Sequence, residues 1–195
     1  MTPVLDFRAV AASFGEGARA ERLARDPVAW VEERLGEFLW SKQREIVRSV
    51  VGNKRTMVAS AHGTGKSFTA SRLIGWWLDT KSVAPTETRV ITTAPSWNQV
   101  ANVMWGYVDE VRQKAGMPGN ITAKASWTFP GFKTPTAFGR KPSDYDESTF
   151  QGIHATNVLV VVDEAGGVPE SIFTSVEAIT TNANARILAI ANPDD

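Results

Sequence analysis

Apolar positions along the chain change period several times, and each change marks a predicted element. Val28, Val31 and Leu35 recur at helical spacing behind Asp26-Pro27, a capping residue with proline at the first helical position, and Gly36 ends that run. Ser41 is the expected cap of a second helix reaching about Val51, with Gly52 as its stop. Thr56 to Ala59 reads as a short buried strand, Ser60 to Gly65 as a turn, and Lys66 onward as a helix through Phe68, Leu73, Ile74 and Trp77, ending near Thr80. Arg89 to Ala94 is a strand stopped by Pro95. Ser96 then caps a long helix on which Val100, Val103, Met104, Val108 and Val111 share a face, closed by Gly116, Pro118 and Gly119. Ile121 to Phe129 alternates and reads as one strand. Residues 130–148 carry Pro130, Gly131, Pro135, Gly139 and Pro142 and read as a hairpin or an exposed excursion. Val158 to Val162 is apolar throughout, as a strand buried on both faces of a parallel sheet would be. Pro169-Glu170 open a helix with Ile172, Phe173, Val176 and Ile179 inward. Arg186 to Ala191 form the last strand, with Asn192-Pro193 at its tip.

Strands alternating with helices predict an α/β fold with a mostly parallel sheet, helices on both faces and right-handed crossovers. Within it, Ser60-Ala61-His62-Gly63-Thr64-Gly65-Lys66-Ser67 stands between a strand and a helix, the arrangement of a P-loop. Backbone N–H groups of such a turn and the positive end of the helix dipole favour phosphate. Lys66 is placed for the β- and γ-phosphates of ATP and the Ser67 hydroxyl for Mg²⁺. The usual pattern begins with glycine, where this chain has Ser60.

About a hundred residues on, the strand Val158 to Val162 delivers Asp163 and Glu164 at its C-terminal end. This is the Walker B arrangement, with Asp163 for the Mg²⁺ shell and Glu164 to orient and deprotonate the attacking water. Asn192 falls at the C-terminal tip of another strand, the edge where doubly wound sheets bind ligands, and so can sense the γ-phosphate or the water; an Asn-Pro turn without chemistry is the other reading. Trp40 and Gln43, at a helix start upstream of the P-loop, are candidates to stack on and pair with adenine, or are packing and solvent-facing residues.

Composition narrows this further. The 195 residues fit one domain, with 1–25 as an N-terminal arm or helix and 26–195 as the nucleotide-binding core. Net charge is zero, so no broad basic field is available for nucleic acid, and any such contact needs a local patch or a neighbouring subunit. Arg19, Arg22 and Arg25 share one helix face, either solvated or in contact with DNA or a partner subunit. There is no cysteine, hence no disulfide and no thiolate chemistry. No apolar run reaches membrane-spanning length, and no membrane partner is expected.

The chain resembles the ATPase domain of the large terminase subunit of tailed bacteriophages and prophages, the motor that packages DNA. The resemblance rests on Trp40-Ser41-Lys42-Gln43, the stretch Ser60 to Ser67, Phe150-Gln151-Gly152-Ile153-His154 leading into Val160 to Ala165, and Ile190-Ala191-Asn192-Pro193. It implies a RecA-like fold of the type with an added strand and a catalytic glutamate. It implies ATP and Mg²⁺ as cofactors, and double-stranded DNA, a portal protein, a small terminase subunit and further copies in a ring as partners, in the host cytoplasm. Asn192 falls in that family's coupling motif. Many members carry an arginine in the P-loop where this chain has Ala61 and His62, and another where it has Gln151. A charge-stabilising arginine is then expected from a neighbouring subunit, with Arg140, on what reads as an exposed glycine-flanked loop, as the candidate. The nuclease domain that full-length relatives carry is not expected within these residues. A helicase-type DNA-dependent ATPase and a nucleotide-binding assembly module without hydrolysis share parts of the pattern. Glu164 argues against the second.

Overall fold

The computed structural model describes residues 7–81, 87–140 and 155–193. Seven strands form one sheet: β1 (Arg55–Ala59), β2 (Thr88–Thr93), β3 (Asn120–Thr122), β4 (Ser126–Thr128), β5 (Ala137–Arg140), β6 (Asn157–Val162) and β7 (Ala185–Ala191). Their order is β1-β7-β6-β2-β5-β4-β3. The pairs from β1 through β5 are parallel, and β4 and β3 add an antiparallel edge. The helices are α1 (Phe7–Arg25), α2 (Pro27–Trp30), α3 (Ser41–Gly52), α4 (Lys66–Lys81), α5 (Trp105–Lys114) and α6 (Glu170–Ile179). Because β7 lies between β1 and β6, the strand before the P-loop and the strand before Asp163 are not neighbours. This is the added-strand arrangement that the resemblance implies.

Alternation along β6 explains its unbroken apolar run. Leu159 and Val161 enter one core layer with Leu73 and Ile74 of α4, while Val158, Val160 and Val162 enter the other with Ile172 and Val176 of α6. Each such side chain contributes about 1.5–3 kcal/mol by leaving water. Helix α4 is buried from Thr69 to Leu78, so it shows little amphipathic pattern. At Gly75 it approaches α5 so closely that a Cβ would lie 2.2 Å from Val111 Cγ1 and 3.0 Å from Trp30 Cη2.

Three sequence expectations are corrected, and a fourth is decided between its two readings. The stretch Ile121 to Phe129 is a hairpin of β3 and β4, because Ala125 takes φ 48° and turns the chain without glycine or proline. Residues 130–148 read as a hairpin or an exposed excursion, and the hairpin is what forms: Ala137–Arg140 pairs antiparallel with β4 and parallel with β2, as a full member of the sheet. The cap of α3 is Trp40, not Ser41: the Trp40 carbonyl accepts the Arg44 N–H at 3.0 Å, the first helical bond. Val103 is exposed, because residues Gln99–Met104 form a π-turn ahead of α5 and the extra residue rotates it outward.

A buried ion cluster went unforeseen. The Arg72 side chain is wholly inaccessible to solvent and donates to both Glu37 oxygens at 2.8 Å, with Glu110 at 3.2 Å. Its guanidinium lies 3.5 Å from the Phe68 ring centroid, and Lys114 joins the same two carboxylates at 2.5 and 2.6 Å. In α1, Arg19 and Arg22 pair with Glu33, and Arg25 pairs with Glu21.

Candidate nucleotide site

The P-loop continues directly from β1, since the Ser60 N–H donates to the Ala191 carbonyl at 3.1 Å and extends the ladder by one bond. Gly63 and Gly65 then take φ 75° and 80°, values that an L side chain resists. Space is short at Gly65 as well, because a Cβ there would meet Gln43 Nε2 at 2.7 Å. Ser60, in the place of the usual first glycine, bonds across the turn to the Thr64 hydroxyl at 2.8 Å, and Thr64 Oγ1 donates to the Ala61 carbonyl at 3.0 Å. The exposed run Ala61, His62 and Gly63 forms the outer rim, and Thr64 to Ser67 are half-buried.

Lys66 Nζ uses its three donors inside the protein, on the Ser60 carbonyl at 2.5 Å, the Ala61 carbonyl at 2.8 Å and Asn192 Oδ1 at 2.8 Å. Ser67 Oγ donates to Asp163 Oδ2 at 2.9 Å. Asp163 continues the sheet through its N–H to the Thr93 carbonyl at 2.8 Å, and its Oδ1 accepts the Glu164 N–H at 3.1 Å. Burial holds the Asp163 carboxyl above its usual value, against the Ser67 and Glu164 hydrogen bonds and the nearby Lys66 charge. Two hard oxygens, Ser67 Oγ and Asp163 Oδ2, thus meet at one point at the start of α4. Among the described residues no group of three or more His, Cys, Asp or Glu gathers around a metal position. That donor set suits Mg²⁺, which takes one or two protein ligands and fills the rest of its shell with water and phosphate.

Glu164 takes φ 48° and ψ 51°, a left-handed conformation costing about 1–2 kcal/mol for a residue with a Cβ. Its carboxylate accepts from Gln99 Nε2. Gln99 was not singled out in the sequence, although Ser96-x-x-Gln99 carries the spacing of a capping box.

Upstream, Gln43 Oε1 accepts the Trp40 N–H at 3.2 Å, which leaves the Nε2 end as a donor beside Gly65. A cleft of about 430 Å³ opens here, lined by Trp40, Gln43, Ile46, Met57, Ser60 and Lys66. Trp40 and Met57 present exposed apolar surface to it. The structure therefore gathers Trp40, Gln43, the P-loop, Asp163, Glu164 and Asn192 along one edge of the sheet.

Arg140 is corrected. It is the last residue of β5, in register with Thr93, half-buried, with its guanidinium 5.2 Å from the Phe138 ring centroid. Among the described residues its Nε, which is buried, has no hydrogen-bond partner. A strand end, not an exposed loop, holds it, because Phe138 and Arg140 alternate onto one face while Gly139 lets β5 approach Val100 and Trp105 on the other. Gln151 and the stretch Phe150 to His154 lie outside the described residues.

Known proteins share this architecture. The Thermus phage P74-26 large terminase ATPase domain superposes with TM-score 0.63 at 24% identity, over 85% of this chain and 69% of that one. The HK97 bacteriophage large terminase gives 0.57 at 17%, over 86% of this chain and 37% of that one. The large terminase of the thermophilic bacteriophage D6E in complex with ADP gives 0.59 at 17%, over 78% and 38%. Identities this low establish the shared fold. A search among curated proteins returns no match. The family model described as an AAA domain matches residues 39–194, four-fifths of the sequence and every element of the site, and the chain belongs to the AAA domain family.

Proposed function

We propose that this chain hydrolyses ATP as the motor domain of a large terminase, driving double-stranded DNA into a viral procapsid. The observation that carries the reading is the convergence of Ser67 and Asp163 at 2.9 Å, with Glu164 next in sequence and Lys66 bonded to Asn192. A module that only binds nucleotide has no use for the strained Glu164. The fold shared with a large terminase ATPase domain and with a large terminase solved in complex with ADP supports the same assignment.

In this reading the base enters the cleft beside Trp40 and meets the donor end of Gln43. Backbone N–H groups of the turn after Ser60, whose own N–H is held by Ala191, face the phosphates, and Lys66 exchanges its carbonyl partners for phosphate oxygens. Ser67 and Asp163 would hold Mg²⁺, which would supply positive charge beside the phosphates. Glu164 takes the proton of the attacking water as ADP leaves. Asn192, bonded to Lys66 at the tip of β7, relays the state of the phosphate to the sheet. The remaining positive charge on the transition state comes from an arginine of a neighbouring copy in a ring. Arg140, at the end of β5, is the candidate. The portal protein, the small terminase subunit and double-stranded DNA are the further partners, in the host cytoplasm. Among the described residues no helix is long and apolar enough to cross a membrane.

The test is ATP turnover per subunit against protein concentration, with and without double-stranded DNA. Turnover is expected to rise with concentration, to vanish in Lys66→Ala, and to vanish in Glu164→Gln while nucleotide binding persists. Undiminished turnover in either variant would overturn the assignment. A rate per subunit independent of concentration would remove the neighbouring copy from the site.

A further inference from the structure

Gln99 is fixed at both ends of its side chain. Oε1 accepts the Ser96 N–H at 3.0 Å and the Ser96 hydroxyl at 2.8 Å, while Ser96 Oγ accepts the Gln99 N–H at 3.3 Å. Nε2 donates to the Glu164 carboxylate. Chemistry dictates which end is which. A backbone N–H can only donate, so it faces the amide oxygen, and a carboxylate accepts, so it faces the amide nitrogen.

The capping box by itself needs only the oxygen end. A glutamate at this position would serve it equally well, yet would set a second carboxylate against Glu164. An amide is the group that satisfies both partners at once. Glu164 needs such a support, because the left-handed turn that carries it follows directly on the end of β6 and anchors only its backbone, through its N–H to Asp163 Oδ1. Among the described residues, Gln99 is the hydrogen-bond partner of its carboxylate.

We propose that Gln99 is a positioning residue for hydrolysis, its capped amide setting the direction in which the Glu164 carboxylate meets the attacking water. This rests on Glu164 being the base for ATP cleavage, as proposed above. A general base works only within hydrogen-bond reach of the proton it removes, so a flexible glutamate gains from a fixed donor at its far oxygen.

Gln99→Glu in the whole chain separates this role from capping. It keeps the acceptor for Ser96 and replaces the donor to Glu164 by a carboxylate. Single-turnover cleavage of bound ATP should slow at least tenfold, with the Kd for a non-hydrolysable ATP analogue within twofold of wild type and the melting temperature unchanged. Ser96→Ala, which loosens the amide without touching Glu164, should slow cleavage by a smaller factor. Wild-type or faster cleavage in Gln99→Glu overturns the proposal, as does a loss that appears in analogue binding instead of cleavage. Glu164→Gln is run alongside. If that variant still cleaves ATP, the assignment of the base falls, and this proposal with it. If it does not, a silent Gln99→Glu counts against Gln99 alone.

Discussion

Lys66 Nζ donates to Asn192 Oδ1 at 2.8 Å, tying the first helical residue after the P-loop to the residue that follows β7. The same ammonium holds the Ser60 and Ala61 carbonyls. The lysine proposed to serve phosphate is therefore folded back onto its own loop, and in that reading nucleotide binding is an exchange of partners rather than the filling of an open valence.

Asn192→Asp tests that exchange. A carboxylate in this position turns an ammonium–amide hydrogen bond into an ion pair that competes with phosphate for Lys66. Affinity for an ATP analogue should fall about tenfold, roughly 1.4 kcal/mol, in a calorimetric titration. Unchanged affinity would mean that Lys66 leaves Asn192 without cost.

Asp163 should be a residue whose function is opposed by stability. Burial raises its folded-state pKa, so the ionised form disfavours the fold at pH values above its unfolded value of 3.8. The penalty grows as pH rises through the folded value and disappears below the unfolded one. Asp163→Asn should therefore melt a few degrees higher at pH 7, at about 2–4 °C per kcal/mol for a domain of this size. The difference should close near pH 3, and turnover should be lost. A lower melting temperature at pH 7 would refute the sign.

Glu37 behaves oppositely. Burial acts to raise its pKa, but hydrogen bonds from Arg72 and Lys114 outweigh it and hold the carboxyl below its ordinary value of 4.5. Its contribution is complete above that value and is lost as pH falls through the lower folded value. Glu37→Gln leaves the buried Arg72 with Glu110 at 3.2 Å as its remaining counter-charge. It should cost about 3 kcal/mol at pH 7 and flatten the acid-side decline in urea denaturation. A variant as stable as wild type would show that Glu110 suffices.

Gly75→Ala probes the contact between α4 and α5. Alanine suits a helix interior, and on propensity alone it would gain about 1 kcal/mol. The 2.2 Å approach of Val111 Cγ1 reverses that, and a net loss of about 1–3 kcal/mol is expected from thermal melting. Net stabilisation would mean that the helices separate freely.

What the sequence makes legible follows from how local its signals are. The P-loop, the strand ending in Asp163 and the tip at Asn192 are contiguous patterns, and each lies where it was read. The turn at Ala123-Lys124-Ala125 carries none of the usual turn residues, so two strands read as one. Ala137–Arg140 is short, sits among prolines and glycines, and is recruited to the sheet by β2 rather than by its own periodicity. Gln99 and Arg72 escaped for another reason: their partners, Glu164, Glu37 and Glu110, lie far away in sequence, and such pairings exist only once the layers are packed.

The place of β7 between β1 and β6 also governs the order in which the protein can be made. Among the described residues β1 pairs with β7 alone, from Arg55 against Ile187 to Ala59 against Ala191. A chain leaving the ribosome exposes its P-loop early, yet the strand beneath it has no ladder until β7 emerges. Lys66 likewise lacks its Asn192 anchor until then. A nascent chain that stops short of β7 should therefore lack both the β1 ladder and the Asn192 anchor, and the proposed nucleotide site should form only as the sheet is completed.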